Sequence, residues 1–420
     1  MDYERHNGWP YDHVEHWPPM TYRDGVAPTS EVLFDFDDFL NKENITKKKK
    51  QLQPWLPFCE GKCAFCYFTV SCEKQNLAPY ITALKSALTQ YAGKRYIKSS
   101  VFSEIYVGGG SPSVISNTQI GDLLDFCRST FNVSPDHLTK FTACTDGLSE
   151  DKITALRSNH VDQLDVGIQT FDDSLRKILT LRNSSQNVKR KLKSIKKQGL
   201  AVSIDLLYNL PGQTIEQWKA DIRQALELEV ESVDCYPLDI YSETILAKRI
   251  EAGELPALGD ASIELEMYLE AYKCFVDEGY RPTCHNRFSR VKEDFEKPSS
   301  EVVGTGAGFF MGHIDRFIYS DIEDIEAYIS RVKNKMFPIA RLTEISKEDE
   351  MKKAMMLIYA RVPLDRLQFK AEFGRFPEEV FPNEINKLKK KGLIEERNGK
   401  IQLTEKGDPW RFNISWEFFQ

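Results

Sequence analysis

The sequence predicts an α/β fold, a partial (β/α)6 TIM-like barrel followed by a C-terminal winged-helix-like domain. Two observations carry this. From about residue 51 to 240, short apolar runs ending in small or polar residues alternate with helical stretches. Their spacing of roughly 25–40 residues suits βα units and a parallel sheet with right-handed crossovers. From about residue 345 the pattern changes to helices, a strand, an Asn398-Gly399 turn and a second strand, as in a winged helix. A barrel is favoured over an open dinucleotide-binding sheet because no G-x-G-x-x-G opens a helix after the first strand.

Residues 1–50, rich in His, Trp, Pro and Asp and closing on the run Lys47 to Lys50, read as a leader packed on the barrel. The lysine run reads as a solvated edge, since no Gly-rich turn accompanies it. Strands are expected at 52–58, 104–107, 140–145, 163–168, 202–208 and 232–238. Helices are expected near 76–92, 117–129, 150–158, 172–198 and 214–228. The barrel and its extension run to about 340, with an amphipathic helix at 260–279 and a Gly-rich apolar segment at 302–311. Helices at 350–360, 363–372 and 384–391 and the Asn-Gly hairpin make the C-terminal domain, 341–420, a lid.

Composition narrows the function. Of 420 residues, 56 are Lys or Arg and 63 are Asp or Glu, a net charge of −7. That balance argues against a nucleic-acid partner or an anionic membrane surface. The start Met1-Asp2-Tyr3-Glu4-Arg5 is charged and no apolar run reaches the length of a membrane span, so a cytoplasmic protein is expected. Nine cysteines are an odd count and too sparse for a disulfide scaffold. In a reducing compartment, clustered thiols point first to metal or redox chemistry.

Such a cluster follows the first strand. Cys59-Glu60-Gly61-Lys62-Cys63-Ala64-Phe65-Cys66 places three thiols at C-x3-C-x2-C. Three ligands from one loop suit a [4Fe–4S] cube with one iron open to another ligand. Zinc, the alternative, wants four closed ligands, usually from two separated pairs, and only Cys72 is near enough to be a fourth.

The spacing is the signature of the radical S-adenosylmethionine (SAM) superfamily. Over about residues 50–420 the chain resembles the branch typified by oxygen-independent coproporphyrinogen dehydrogenase. The motifs that carry the resemblance are Pro57-Phe58-Cys59, Tyr106-Val107-Gly108-Gly109-Gly110-Ser111-Pro112-Ser113, Val166-Gly167-Ile168-Gln169-Thr170-Phe171-Asp172-Asp173 and Asp205-Leu206-Leu207-Tyr208-Asn209-Leu210-Pro211-Gly212-Gln213-Thr214. Tyr236-Pro237-Leu238 and Leu403-Thr404-Glu405-Lys406-Gly407 also fit. The resemblance implies a [4Fe–4S] cluster on Cys59, Cys63 and Cys66, and SAM chelating the open iron. It also implies a reductase, flavodoxin or ferredoxin as electron donor and a monomer acting on a small molecule.

Gly109, Gly110 and Ser111 follow the second strand, where residues without side chains let a ligand approach backbone carbonyls. Taken alone, Ser111 and Pro112 read as the cap and first residue of a helix. Gln169 and Asp205 end otherwise apolar strands, and strand ends carry the chemistry of barrels. By resemblance both would contact SAM, Phe65 would pack on the adenine, and Pro237 and Phe310 would line nucleoside pockets.

The departures are informative. Cys144 stands where the family usually has Glu. Ungapped counting puts Leu181 where an Arg is usual, with Arg182 adjacent and able to reach a carboxylate. Gln53-Pro54-Trp55-Leu56 lacks the Tyr and His that precede Pro-Phe-Cys in coproporphyrinogen dehydrogenases. His285-Asn286-Arg287-Phe288 lacks the Trp of the HNxxxW segment of heme-chaperone relatives, leaving His285 and His313 unassigned. Gly407-Asp408-Pro409-Trp410-Arg411-Phe412-Asn413 resembles the Gly-x-x-Trp-x-x-Asn ending of a sub-branch containing class C radical methyltransferases, cyclopropane-forming enzymes and anaerobic heme-ring-opening methyltransferases.

The resulting expectation is a transferase that uses two SAM molecules. One yields a 5′-deoxyadenosyl radical, which takes hydrogen from the methyl of the second. The methylene radical then adds to an sp² carbon, giving methylation or cyclopropanation. Cys144, Cys235, Tyr236 and His285 are candidates for a proton relay. The alternatives are a tetrapyrrole-acting member, either heme-ring-opening or decarboxylating, and a heme chaperone without turnover.

Overall fold

The computed structural model describes residues 8–19, 27–46, 48–283, 285–291 and 300–419. The charged start and Lys47 of the lysine run lie outside these.

Six strands, β1 (Lys50–Leu56), β2 (Phe102–Gly109), β3 (Val133–Cys144), β4 (Gln163–Gln169), β5 (Ala201–Tyr208) and β6 (Ser232–Pro237), pair in parallel and in chain order. Each expected strand is present, with β3 extended at its N-terminal end. Two-residue alternation gives every strand two faces. One face holds Leu52, Ile105, Phe141, Leu164, Ile204 and Val233, which join the buried core beneath the surrounding helices. The other face is polar, and its outer members Trp55, Tyr106, Thr142, Asp165, Asp205 and Tyr236 line one cavity. Residues of all six strands therefore face a common interior, and the sheet curves into the expected partial barrel.

Deeper on that inner face, several buried polar groups pair with one another, which offsets the cost of their burial. The Gln51 amide donates to Glu104 at 2.7 Å, Gln163 donates to Asp165 at 2.6 Å and the hydroxyls of Ser232 and Ser289 meet at 2.9 Å. Arg287 and Asp234 form an ion pair at 2.7 Å.

The second half of the sheet differs from expectation. β7 (Arg281–Pro282) and β8 (Arg287–Ser289) add antiparallel to β6. The Gly-rich apolar segment forms β9 (Glu301–Thr305), which pairs parallel with β1, and β10 (Met311–Ile314). β11 (Phe317–Asp321) and β12 (Ile339–Glu344) continue antiparallel, giving twelve strands in the order β12-β11-β10-β9-β1-β2-β3-β4-β5-β6-β8-β7. The expected helix at 172–198 is two, Asp173–Ile178 and Ser185–Lys197. Thr180 breaks it by taking φ +58, left-handed backbone that a β-branched residue rarely adopts.

The C-terminal domain pairs β13 (Leu364–Asp365) and the hairpin β14 (Ile394–Arg397) and β15 (Lys400–Leu403) into a three-stranded sheet, order β13-β15-β14. Helices Arg366–Phe373 and Pro382–Lys390 cover it. Leader residues Trp9, Tyr11 and Val14 pack against this domain's core. No helix among the described residues is long and apolar enough to cross a membrane.

Candidate functional site

At the C-terminal ends of the parallel strands lies a cavity of about 470 Å³. Cys59, Cys63 and Cys66 line one wall. Their loop is bolted down by backbone bonds, Cys59 N–H to the Ser71 carbonyl at 3.0 Å and Ala64 N–H to the Leu179 carbonyl at 3.1 Å. Ala64 is also sunk in a small apolar cluster with Leu175, Leu207, Leu238 and Leu246, so the thiols are presented by a rigid loop. Burial, and then the neighbouring thiols, push the Cys63 thiol up to about 12 and Cys59 higher. Gathered thiols of this kind favour a cation that would let them ionise.

The site fits the cluster better than zinc. Among the described residues, no group of three or more His, Cys, Asp or Glu side chains is disposed to hold a single metal ion. Three thiols spread around one wall instead suit a multi-iron body. Cys72 is exposed and does not line the cavity.

The glycine turn forms the next wall. Gly109 adopts φ +126, and a Cβ there would strike the Leu56 carbonyl. Gly110 and Ser111 donate backbone N–H groups to the carbonyls of Leu56 and Phe58 at 2.8 and 2.7 Å. A Cβ on Gly110 would lie 2.8 Å from the Cys59 sulfur, so glycine keeps the space beside the thiols open. Ser111 stands at the cap position of the short 3-10 turn Pro112–Val114, with Pro112 as its first residue, but its side chain makes no capping bond. Its hydroxyl accepts from the Cys144 N–H at 2.9 Å, and the helix starts at Asn117 with Ser116 as its cap.

Gln169 and Asp205 face each other across neighbouring strands. Gln169 takes φ +68, and the β4–β5 register shifts between Gly167 and Gln169. That bulge turns the amide inward, as bulges beside functional sites do. A Cβ on Gly167 would sit 3.0 Å from the Gln169 amide nitrogen and 3.7 Å from an Asp205 oxygen, so Gly167 leaves room for both. Arg182, just beyond the broken helix, lies over Gly61 with its Nε 4.0 Å from Asp146.

Phe65, Cys144, Tyr236 and Pro237 also line the cavity. Three other candidates do not. Cys235 is on the outward face of β6, fully buried in the apolar core. Phe310 is 1% exposed and packs edge-on against Trp55 at 6.2 Å, while its neighbour Phe309 stacks on Phe68 at 4.9 Å near the mouth. His285 occupies a left-handed turn between β7 and β8, φ +56, and its ring meets Tyr359 of the C-terminal domain.

Several cavity residues went unflagged in the sequence. Arg176 reaches it, but its guanidinium is committed to the carbonyls of Asn183, Ile168 and Thr170 at 2.6–2.8 Å. Asp165 and Arg287 form the floor, and Trp17 of the leader stands at the mouth, stacked on Tyr236 at 5.8 Å. The alternation Gln163, Asp165, Gly167, Gln169 was a readable signal for Asp165; the placement of Arg287 and Trp17 had none.

Comparison with known proteins agrees with this architecture. Residues 54–225 match the radical SAM superfamily and residues 345–410 the HemN C-terminal domain. The heme chaperone HemW of Bacillus subtilis is 27% identical over 362 residues, 84% of this chain and 94% of that protein. The anaerobilin synthase of Escherichia coli O157:H7 is 24% identical over 408 residues, 94% of this chain and 89% of that one. The structure of coproporphyrinogen III oxidase (HemN) from Escherichia coli superposes with a TM-score of 0.84 at 18% identity, covering 96% of each chain. The chain therefore carries a stretch that matches the radical SAM superfamily followed by one that matches the HemN C-terminal domain, and over most of its length it is similar to HemN and HemW proteins.

Proposed function

We propose that this protein is a radical SAM enzyme that acts on a tetrapyrrole. The observation that carries the reading is the convergence of the three thiols, the glycine turn, Gln169 and Asp205 on a single cavity rimmed by aromatic rings. Cys59, Cys63 and Cys66 would hold a [4Fe–4S] cluster, which when bound supplies one electron and an open iron. The backbone of Gly109 and Gly110 offers carbonyls to an ammonium group. Asp205 accepts hydrogen bonds from a ribose or ammonium, and Gln169 and Arg182 can hold a carboxylate.

The tetrapyrrole is supported by the relatives, whose names refer to heme, anaerobilin and coproporphyrinogen, and by the aromatic rim. Methylene transfer from a second SAM to an sp² carbon is the manner of reaction we favour for this site. Cys144 and Tyr236 are its candidate proton donors, because both lie inside the cavity; His285 and Cys235 drop out.

Anaerobic reconstitution with iron, sulfide, dithionite, heme and SAM bearing a deuterated methyl group tests this. Deuterium in 5′-deoxyadenosine together with S-adenosylhomocysteine supports methylene transfer. Unlabelled 5′-deoxyadenosine with consumption of the tetrapyrrole would mean direct abstraction from the substrate. Heme binding with no nucleoside product would overturn the enzyme in favour of a chaperone. Replacing Cys59, Cys63 or Cys66 by Ala should abolish the brown chromophore and all SAM cleavage, whereas Cys72→Ala should keep both.

A further inference from the structure

The Gly407-x-x-Trp410-x-x-Asn413 motif lies outside the cavity, and none of its three residues touches the site described above. Trp410 and Asn413 instead hold the N-terminal leader, and Gly407 shapes the turn that carries them. A Cβ on Gly407 would strike the Leu393 carbonyl, so only glycine lets this turn close against the domain's hairpin. Trp410 is fully buried, with Trp9 edge-on at 5.6 Å and Tyr11 tilted at 5.8 Å. The Asn413 amide grips the leader backbone in both senses, accepting from the Glu15 N–H at 3.0 Å and donating to the His13 carbonyl at 2.9 Å. Trp416 adds a bond from its Nε1 to the Trp17 carbonyl at 3.0 Å.

The leader has no helix or strand between residues 8 and 19. Ordering such a stretch costs about 1–2 kcal/mol per residue in backbone entropy, so its course depends on these anchors. Its far end sits at the cavity mouth. His16 bridges Asp239 and Glu264, the latter at 2.7 Å. Trp17 donates its Nε1 to Asp239 at 2.6 Å and stacks on Tyr236 with the planes 24° apart.

We infer that the C-terminal motif is a latch for the leader, and that the latched Trp17, backed by Tyr236, determines substrate specificity by stacking its other face on a flat aromatic macrocycle. Trp17 contacts substrate, while Tyr236, Trp410 and Asn413 position Trp17. The class of substrate rests on the tetrapyrrole reading above; the latch does not. Aromatic surface held by hydrogen-bonded edges is the usual means of gripping a planar ligand without large entropic loss.

The test uses the full-length protein reconstituted with its cluster, the chromophore serving as the check on folding. Protoporphyrin IX affinity is read from the Soret band, and hydrogen exchange is read on residues 9–17. Trp17→Ala should weaken porphyrin binding about tenfold or more, and Trp17→Phe should recover part of it. Asn413→Ala should cause a comparable loss together with faster exchange in the leader. The double variant should bind no worse than Trp17→Ala, because both changes remove the same contact. Unchanged affinity in Trp17→Ala, or additive losses in the double variant, would overturn the specificity role. Unchanged leader exchange in Asn413→Ala would overturn the latch. A wild-type protein that cleaves SAM yet binds no porphyrin would remove both the tetrapyrrole reading and the macrocycle stacking, and leader exchange would still decide the latch.

Discussion

Two buried basic side chains, Arg361 and Lys353, hold the C-terminal domain against the barrel, and they are treated in opposite ways. Arg361 faces a carboxylate. Its Nε reaches Asp408 at 2.6 Å, one Nη meets the other oxygen at 3.1 Å and the Tyr268 hydroxyl at 2.9 Å, and the other Nη bonds the carbonyls of Thr283 and His285. Burial opposes charge on both partners, but the pairing outweighs it, keeping Arg361 charged and Asp408 below the usual carboxylate range. Lys353 borders a separate cavity of about 350 Å³ between the sheet edge and the domain. Its Nζ meets the His313 Nε2 at 2.6 Å. Burial first, then Lys48, drives Lys353 down to about 7 against the pull of Glu301, Glu350 and Asp315. Burial and Lys353 in turn push His313 down to about 3. A carboxylate within reach thus makes one contact a permanent clamp; burial beside Lys48, with no carboxylate in contact among the described residues, makes the other titratable.

The largest effect expected from breaking this contrast is at the clamp. Asp408→Asn leaves Arg361 and Arg411 buried without their counter-charge, and should cost about 3–5 kcal/mol in urea unfolding of the full chain. A loss under 1 kcal/mol would show that the guanidiniums find water or another acceptor.

Lys353 should show itself in pH dependence. The unfolded amine binds a proton below 10.5, whereas the folded one does so only below about 7. Folding stability from this group is therefore complete above pH 10.5 and lost as pH falls to 7. His313 repeats the sign between 6.5 and 3. Subtracting the Tm profile of Lys353→Met from that of the wild type should leave a difference that rises from pH 7 to 9.5. A flat difference would mean that Lys353 stays charged when folded.

The leader has the opposite sign, which sharpens the contrast further. Burial would lower His16, but hydrogen bonds to Asp239 and Glu264 outweigh it and raise it from 6.5 to about 10. Its contribution is full below pH 6.5 and disappears as pH rises through 10. Limited proteolysis of the leader should accelerate above pH 9 in the wild type, and His16→Gln should be fast at every pH. The smallest effect is at an exposed pair, Lys42 and Asp38, 60% and 55% exposed. Lys42→Ala should change stability by no more than about 0.5 kcal/mol.

Much of the barrel was legible because strand signals are local. The inner and outer faces of β4 can be read directly from Gln163-Leu164-Asp165-Val166-Gly167-Ile168-Gln169. The strands after residue 280 were not, since β7 has two residues and β8 three, too short for any period to register. The parallel pairing of β9 with β1 joins segments some 250 residues apart and leaves no local trace. The single helix expected at 172–198 shares its apolar spacing with the two that form, and the break over 179–184, with left-handed backbone at Thr180 and a new cap at Ser184, separates them.

The same division runs through the site. The chain's own order was enough to mark Cys59, Cys63 and Cys66, the glycine turn, Gln169 and Asp205, because these depend on spacing within one loop or on position at a strand end. Tertiary structure decided which other residues joined them. It turned Cys144 and Tyr236 inward and Cys235 outward, since a residue's face follows from strand phase relative to the lumen. It sent Phe310 into the core and His285 to the domain interface, and it brought Trp17 to the mouth through anchors on Trp410 and Asn413 nearly 400 residues away. Such placements are sums of long-range contacts, each too weak to leave a pattern in the neighbouring sequence.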